Sequence, residues 1–418
     1  MPPAMSWNSL PLELGDRIID HLHDDPANLK HCALTCRTFL RCSRFNRFRT
    51  VIIKERNAVK FLQLLRTSPV GRFVHTLITI TRSTNMPSFG PYSNVLWVEK
   101  HLPELSKALP FVRTLEMQRY DTPRASTFTG FTSVESLVFK NSLISNINQY
   151  RDLLCSFPSL RSARFQGCMI GKSDQVTSPE PKIPSLRTLD FILSQLDPLS
   201  FVEWLLTQPP SDTLERMTLS PLQKPTIAPA GSLLKAVGTS LGELRISIIF
   251  PHAQDSIPDV PYDQLSLEDL TNLEFLSFGS PAAHAKLNPI HIDMSFSWYA
   301  FMLESVTSRC LQTISFSLMT GDIDEVTKLS DWERIIQLLS SSQFTKVKEF
   351  RFYILADGIE EFVSDLRRSL SALDEAGKLA FYYTYDDTLK AEFPTVQCSS
   401  ARDEGVVEHS RSQRRTRD

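Results

Sequence analysis

At 418 residues the chain has room for two or three ordinary domains, or for one small domain followed by a repeat array. Its formal net charge of −2 excludes a global electrostatic pull toward nucleic acid or an anionic membrane, and its 42% hydrophobic content is that of a folded chain. With only 14 glycines it is poorly suited to nucleotide-binding folds, whose phosphate loops need glycine turns, while 26 prolines point to repeated loops and interrupted helices.

The first fifty residues read as a separate helical unit. Ser9 suits an N-cap and Pro11 a first helical turn, after which Leu14, Ile18 and Leu22 recur every four residues with Ile19 alongside. Asp25 followed by Pro26 marks a second helix start, with Leu29, Cys32 and Cys36 on one face, and a third short helix carries Phe39 and Leu40. Three short helices bury little surface, so this unit is expected to lean on a partner or on the rest of the chain.

From about residue 51 the texture becomes a repeat of apolar-x-x-apolar-x-apolar, preceded by a helical stretch. Val51–Ile53 and Val74–Ile80 read as degenerate first strands. Nine units come after them, beginning Val112-Leu115-Met117, Val134-Leu137-Phe139, Leu160-Ala163-Phe165, Leu186-Leu189-Phe191 and Leu214-Met217-Leu219. They end with Leu241-Leu244-Ile246, Leu273-Leu276-Phe278, Leu311-Ile314-Phe316 and Val347-Phe350-Phe352, at spacings of 22 to 38 residues. The last two apolar positions of each unit alternate with polar ones, which is strand periodicity. Helical patterns fall over 57–67, 96–109, 198–206, 298–305 and 332–339. Strand alternating with helix at this period implies stacked parallel strands with helices outside. Proline-, serine- and glycine-rich inserts over Ser83–Asn94, Gly171–Pro184, Pro221–Gly231 and Pro251–Gln264 read as loops, and residues 398–418 as a disordered tail.

The segment LPLELGDRIIDHLHDDPANLKHCALTCRTFLRCSRF resembles the F-box, and the whole chain is similar to the large fungal families of F-box proteins with irregular leucine-rich repeats. The resemblance rests on the opening Leu10-Pro11-Leu12-Glu13-Leu14, on Ile18-Ile19 and Leu22, on Asn28-Leu29, on Cys32-Ala33-Leu34 and on Cys36-Arg37, with Phe39 where the family often has tryptophan. It implies an α/β chain in which a three-helix F-box (residues 1–50) precedes a leucine-rich-repeat-like solenoid (51–397) with parallel strands on its concave side. It also implies docking on a Skp-type adaptor, and through it a cullin, by Leu10, Pro11, Leu14, Ile18, Ile19, Leu22, Leu29, Leu34, Cys36 and Phe39. The other reading of this segment is a plain helical cap on the end of the array.

Other chemistry finds less support. Arg37, Arg41, Arg44, Arg47 and Arg49 interleave with Phe39, Phe45 and Phe48, but helical spacing places Arg37, Arg41 and Arg44 on a solvated face, so no nucleic acid is expected. His21, His23, His31, Cys32, Cys36 and Cys42 lack the paired spacing of zinc modules, so neither metal nor cofactor is expected. There is no phosphate-cradling Gly-Lys-Ser/Thr loop, His-Glu-x-x-His or Gly-x-Ser-x-Gly, and no Cys-x-x-Cys pair of a RING, so the chain is not expected to be an enzyme itself. The N-terminus carries no secretory pattern and no segment approaches the roughly 18 apolar residues of a membrane span. Seven scattered cysteines fit reduced thiols, and the expected location is cytoplasmic or nuclear.

The polar positions between strand apolar residues, from Thr114, Glu116 and Gln118 to Glu349, Arg351 and Tyr353, project onto the helix-free face with charges of alternating sign. That pattern suits an unknown protein target better than a polyanion. Phe275, Arg351 and Tyr353 are the expected target contacts, because large aromatic and arginine side chains carry most interface energy. Regular leucine-rich repeats bond their turns through Asn or Cys, and only Cys168 fits, with Tyr120, Ser142, Leu222, Ile249 and Pro281 elsewhere, so irregular turns are expected. The function implied is the substrate-recognition subunit of an SCF-type ubiquitin ligase. The alternative is a protein-binding repeat scaffold whose partner is not degraded.

Overall fold

A computed structural model describes residues 12–23, 25–81, 96–120, 124–144, 147–170, 185–192, 205–206, 213–222, 224–248, 264–279, 297–319, 330–355, 359–383 and 396–398. Three helices come first: α1 (Leu12–Asp20), α2 (Pro26–Thr35) and α3 (Arg37–Arg49). Asp25 caps α2 as its sequence context requires, its Oδ1 accepting from the backbone N–H groups of Ala27 and Asn28 at 3.1 and 2.9 Å, with Pro26 in the first turn. Asn46 on α3 donates to Asp20 on α1 at 2.9 Å, and the buried Ile19, Leu29 and Phe39 form the unit's own small core. α3 runs straight into strand β1 (Thr50–Lys54). The junction is clamped by the His75 N–H donating to the Arg49 carbonyl at 2.9 Å and by the Phe45 ring edge-on to His75 at 5.6 Å.

The rest of the fold is one sheet. After β1 come β2 (Thr76–Ile80), β3 (Thr114–Gln118), β4 (Ser136–Lys140), β6 (Ser162–Gln166), β8 (Thr188–Ile192), β9 (Arg216–Leu222), β10 (Glu243–Ile248), β11 (Phe275–Phe278), β12 (Thr313–Met319), β13 (Glu349–Leu355) and β14 (Leu379–Tyr383). They stack in chain order, all parallel. A short β15 (Val396–Cys398) pairs antiparallel at the end, so the segment read as a tail from residue 398 begins inside a strand. β5 (Leu143–Ile144) and β7 (Met169–Ile170) form a separate two-stranded ladder.

All nine units expected from the sequence are strands, and so are both degenerate ones. Their register is uniform. Leu137, Ala163, Leu189, Met217, Leu244, Leu276, Ile314 and Phe350 are direct partners on successive strands and are buried in one continuous core. Two positions on, Phe139, Phe165 and Phe191 stack at 5.4 and 5.5 Å, and Phe278, Phe316, Phe352 and Phe381 at 5.5, 5.3 and 5.4 Å. Those spacings follow the ~4.8 Å strand pitch, so identical residues in register meet as offset-stacked rings.

Helices line the apolar face: α4 (Glu55–Thr67), α5 (Leu96–Ala108), α6 (Ile147–Cys155), α7 (Lys224–Val237), α8 (Ser297–Glu304), α9 (Ser330–Leu339), α10 (Ile359–Ser369) and α11 (Ser371–Glu375). Of the helical patterns, 57–67, 96–109, 298–305 and 332–339 match α4, α5, α8 and α9, whereas within 198–206 only 205–206 are described. Pro221–Gly231, expected as a loop, instead closes β9 and opens α7. Pro225 occupies the first turn, where no intrahelical N–H is needed, and Ile227, Ala230, Leu233, Leu234 and Val237 are all buried at helical spacing. The prolines had masked that period. The inserts Ser83–Asn94 and Gly171–Pro184 lie outside the described residues, as does Pro251–Gln264 except for Gln264.

Gly231 is dictated by this packing. A Cβ there would sit 1.6 Å from the backbone oxygen of Gln264, which cannot swing away as a side-chain end could. Gly231→Ala should therefore cost about 1–3 kcal/mol of unfolding free energy by urea titration, although alanine is the better helix former. Wild-type stability in that variant would mean that α7 does not approach the next repeat this closely.

Candidate functional site

Two surfaces can bind, and the chain builds them differently. The first is on the helical unit. Its apolar residues divide into two sets: Ile19, Leu29 and Phe39 are buried, with Leu22, Cys32, Cys36 and Cys42 packed against them. Ile19, Leu29 and Phe39, expected to touch a partner, are thus consumed by the unit's own core. Cys36 has a local task as well: its Sγ accepts from the Phe39 N–H at 3.4 Å, capping α3. By contrast Leu14, Ile18 and Leu34 are 47%, 44% and 79% exposed, with Leu14 and Ile18 one turn apart on the same face of α1. Leu10 and Pro11 lie outside the described residues.

Among the exposed large apolar side chains, Ile52, Val59, Leu64 and Phe111 also belong to this end of the molecule. Among the described residues no cluster of His, Cys, Asp or Glu could hold a metal ion, and no helix is long and apolar enough to cross a membrane.

The second surface is the helix-free face of the sheet. Its charges pair with one another: across strands, Lys140 with Glu116 at 2.9 Å, Arg164 with Asp190 at 2.9 Å and Arg216 with Glu243 at 2.5 Å, and along one strand, Arg245 with Glu243 at 2.8 Å. Arg351 donates from Nε and Nη2 to one oxygen of Glu349, at 2.8 and 2.6 Å. Asp190 is buried, whereas the other pairs are partly open to solvent and add about 0–1 kcal/mol each, so their use is to hold long side chains in place.

Arg351 and Tyr353 stand together at β13, where Tyr353 stacks on Tyr382 of β14 at 4.8 Å with ring planes 15° apart. Burial, reinforced by the Glu349 carboxylate, pushes the Tyr382 hydroxyl above its ordinary range. Phe275 lies two strands away, with the Arg245 guanidinium 5.1 Å from its ring centroid, so the expected contacts form two aromatic–arginine groups. Tyr382 was missed because the triplet of its strand, Ala376-Leu379-Phe381, opens on a small alanine where the other units have a large apolar residue.

Beside and between these groups the face is a floor of short side chains. Thr218, Ser220, Ser247, Ser277, Ser315 and Ser317 are buried, although strand alternation aims them outward as solvent-facing positions. A short hydroxyl side chain beside a long one at strand pitch, as Ser277 is beside Arg245, Ser315 beside Arg351 and Ser317 beside Tyr353, is shaded by its neighbour, which sequence periodicity does not register.

One turn is less irregular than expected. Cys168 donates to the Phe139 carbonyl at 3.6 Å, while Ser142 Oγ accepts from the Tyr120 N–H and donates to the Lys140 carbonyl, both at 3.1 Å. A hydroxyl here does the work of the missing asparagine.

No family model and no curated protein matches the sequence. Among solved structures an internalin from Listeria monocytogenes is similar at 13% identity, over 79% of this chain and 94% of its own, with a TM-score of 0.27. At that score the two backbones do not superpose as a whole, and the neighbour's properties do not transfer.

The thiols provide a test of this packing. Burial, with the hydrogen bond that Cys42 donates to Asp16, pushes the Cys42 thiol up to about 12, and burial raises Cys155 and Cys168 to about 11. A raised thiol is stripped of its nucleophilic thiolate at neutral pH. At pH 8 a disulfide reagent should therefore modify the exposed Cys310 readily and Cys42, Cys155 and Cys168 only on unfolding, as read by peptide mass mapping. Fast labelling of Cys42 in the folded protein would contradict the α1–α3 contact.

Proposed function

We propose that the chain is a non-catalytic substrate receptor of an SCF-type ubiquitin ligase, held by a Skp-type adaptor through its helical unit and holding a target protein on the helix-free face of its sheet. The observation that carries this reading is the exposed apolar set Leu14, Ile18 and Leu34, on a unit too small to leave such groups in water without cost. These are positions at which the resemblance to the F-box expects adaptor contacts. An apolar helix face of this kind is a helix-in-groove ligand: anchors from short helices desolvate together in a partner's cleft.

The rigid passage from α3 into β1 supports the same reading. A ligase receptor has to present its target at a fixed place relative to the adaptor, and here helix and sheet are joined by a backbone hydrogen bond and a ring contact instead of a linker. The sheet supplies an extended array of strands, enough for an ordinary interface of ~800 Å² on this partner.

Two experiments test the two halves. Replacing Leu14 and Ile18 together with Asp should leave helical content unchanged, because both are exposed, and weaken capture of a Skp-type adaptor at least tenfold, about 1.4 kcal/mol. Ile19→Asp is the contrasting variant and should unfold the helical unit, since it puts a charge into its core. Undiminished adaptor capture by the Leu14/Ile18 variant would refute the ligase assignment. Alanine at Arg351 and Tyr353 should keep adaptor capture and weaken the target interaction about tenfold. Stabilisation of the captured target when the chain is deleted from cells separates degradation from mere scaffolding.

A further inference from the structure

The sheet register gathers basic residues that lie far apart in sequence onto one rim. The residue just before each strand holds the same place at the strands' N-terminal edge: Arg49, His75, Arg113, Glu135, Arg161 and Arg187 precede β1, β2, β3, β4, β6 and β8. This rim is stiff, because each of these carbonyls accepts the first N–H groups of the next repeat. His75 receives Arg113 and Thr114 at 2.9 and 3.0 Å, Arg113 receives Glu135 and Ser136 at 2.8 and 2.9 Å, and Arg161 receives Arg187 and Thr188 at 2.7 and 3.0 Å.

Arg49, Arg113, Arg161 and Arg187 are exposed. Of these only Arg187 has an ion pair among the described residues, with Glu215 at 3.2 Å. Arg72 and the 53%-exposed Phe111 lie in the turns that lead into β2 and β3. Partial burial, and after it the nearby charges of Arg113 and Arg49, lower the pKa of His75 in this row. Farther along, the rim changes sign, with Glu215 and Glu274 preceding β9 and β11.

We infer that the rim formed by Arg49, Arg113, Arg161 and Arg187 is a docking strip for an extended acidic segment of a partner protein, distinct from both the apolar helix face and the helix-free face of the sheet. Six strands at ~4.8 Å spacing cover about 24 Å, the length of about seven extended residues. The guanidiniums of Arg49, Arg113 and Arg161, without an ion pair among the described residues and carried on a fixed backbone, suit carboxylates, which they grip in bidentate geometry with little ordering cost. A nucleic acid fits less well. Glu135 sits inside the strip and Glu215 ends it, so a uniformly charged phosphate backbone would meet carboxylates, while a peptide can place neutral or basic residues there.

The strip can be tested on the full chain with a fluorescent octaglutamate and, in parallel, a single-stranded oligouridylate of equal charge, by anisotropy at low ionic strength. Octaglutamate should bind saturably, and Arg113→Glu with Arg161→Glu should weaken it at least tenfold. Arg309→Glu with Arg368→Glu, an equal charge change on exposed arginines elsewhere, should alter it less than twofold. Glu135→Arg, which removes the interruption, should tighten it severalfold. The proposal is overturned by non-saturable binding, by equal losses in the two double variants, by weaker binding of Glu135→Arg, or by tighter binding of the oligouridylate, which would make the strip a nucleic-acid surface.

Discussion

Parallel strands must be buried on one face and must be connected through the other layer, and here that requirement is met many times over with little variation in register. Each unit places two apolar side chains on the buried face at fixed positions, so that Leu244 meets Leu276 and Leu276 meets Ile314, while Phe278 meets Phe316 and Phe316 meets Phe352. Where phenylalanine recurs, the rings stack at nearly the strand pitch. The aromatic column is interrupted at Leu219 and Ile246, and the leucine ladder carries continuity through that stretch. A slip of one residue would turn every one of these side chains to the opposite face, so the register is strongly specified. Helices, turns and both outer surfaces take their positions from it.

The helical unit shows the opposite economy. Its core is a handful of side chains, and it gains rigidity by continuing α3 directly into the first strand. A unit of this size leaves apolar residues over, and Leu14, Ile18 and Leu34 are those residues. In the proposed receptor role this surplus is useful: the smallness of the domain is what leaves a docking face available.

The helix-free face is electrostatically self-contained. Its arginines are already held by neighbouring glutamates, so a partner meets oriented groups over a floor of serine and threonine, and the face is expected to discriminate by shape and by hydrogen-bond pattern. The rim differs because its arginines sit in the turns: Glu135 lies between Arg113 and Arg161 in the row, yet among the described residues only Arg187 of the four arginines has an ion pair. Charge left unpaired on a stiff backbone is available for an incoming ligand.

Much of this was legible in the sequence. Apolar triplets announced the strands, because the period-two alternation of a strand is a local property, and Asp25-Pro26 announced a helix start for the same reason. The helix at Lys224–Val237 was not legible, since two prolines disguised a period that only contact with the neighbouring repeat makes worthwhile. Nor could the sequence divide Leu14, Ile18 and Leu34 from Ile19, Leu29 and Phe39: all six are large and apolar at helical spacing, and which ones face inward depends on how three helices cross. The burial of the outward serines and the joining of Arg49, Arg113 and Arg161 into one strip likewise came from stacking repeats of unequal length. Period and chemistry are written along the chain, whereas the neighbours of a side chain across the ladder are set by tertiary register, which insertions between repeats leave unchanged while they scramble the spacing in sequence.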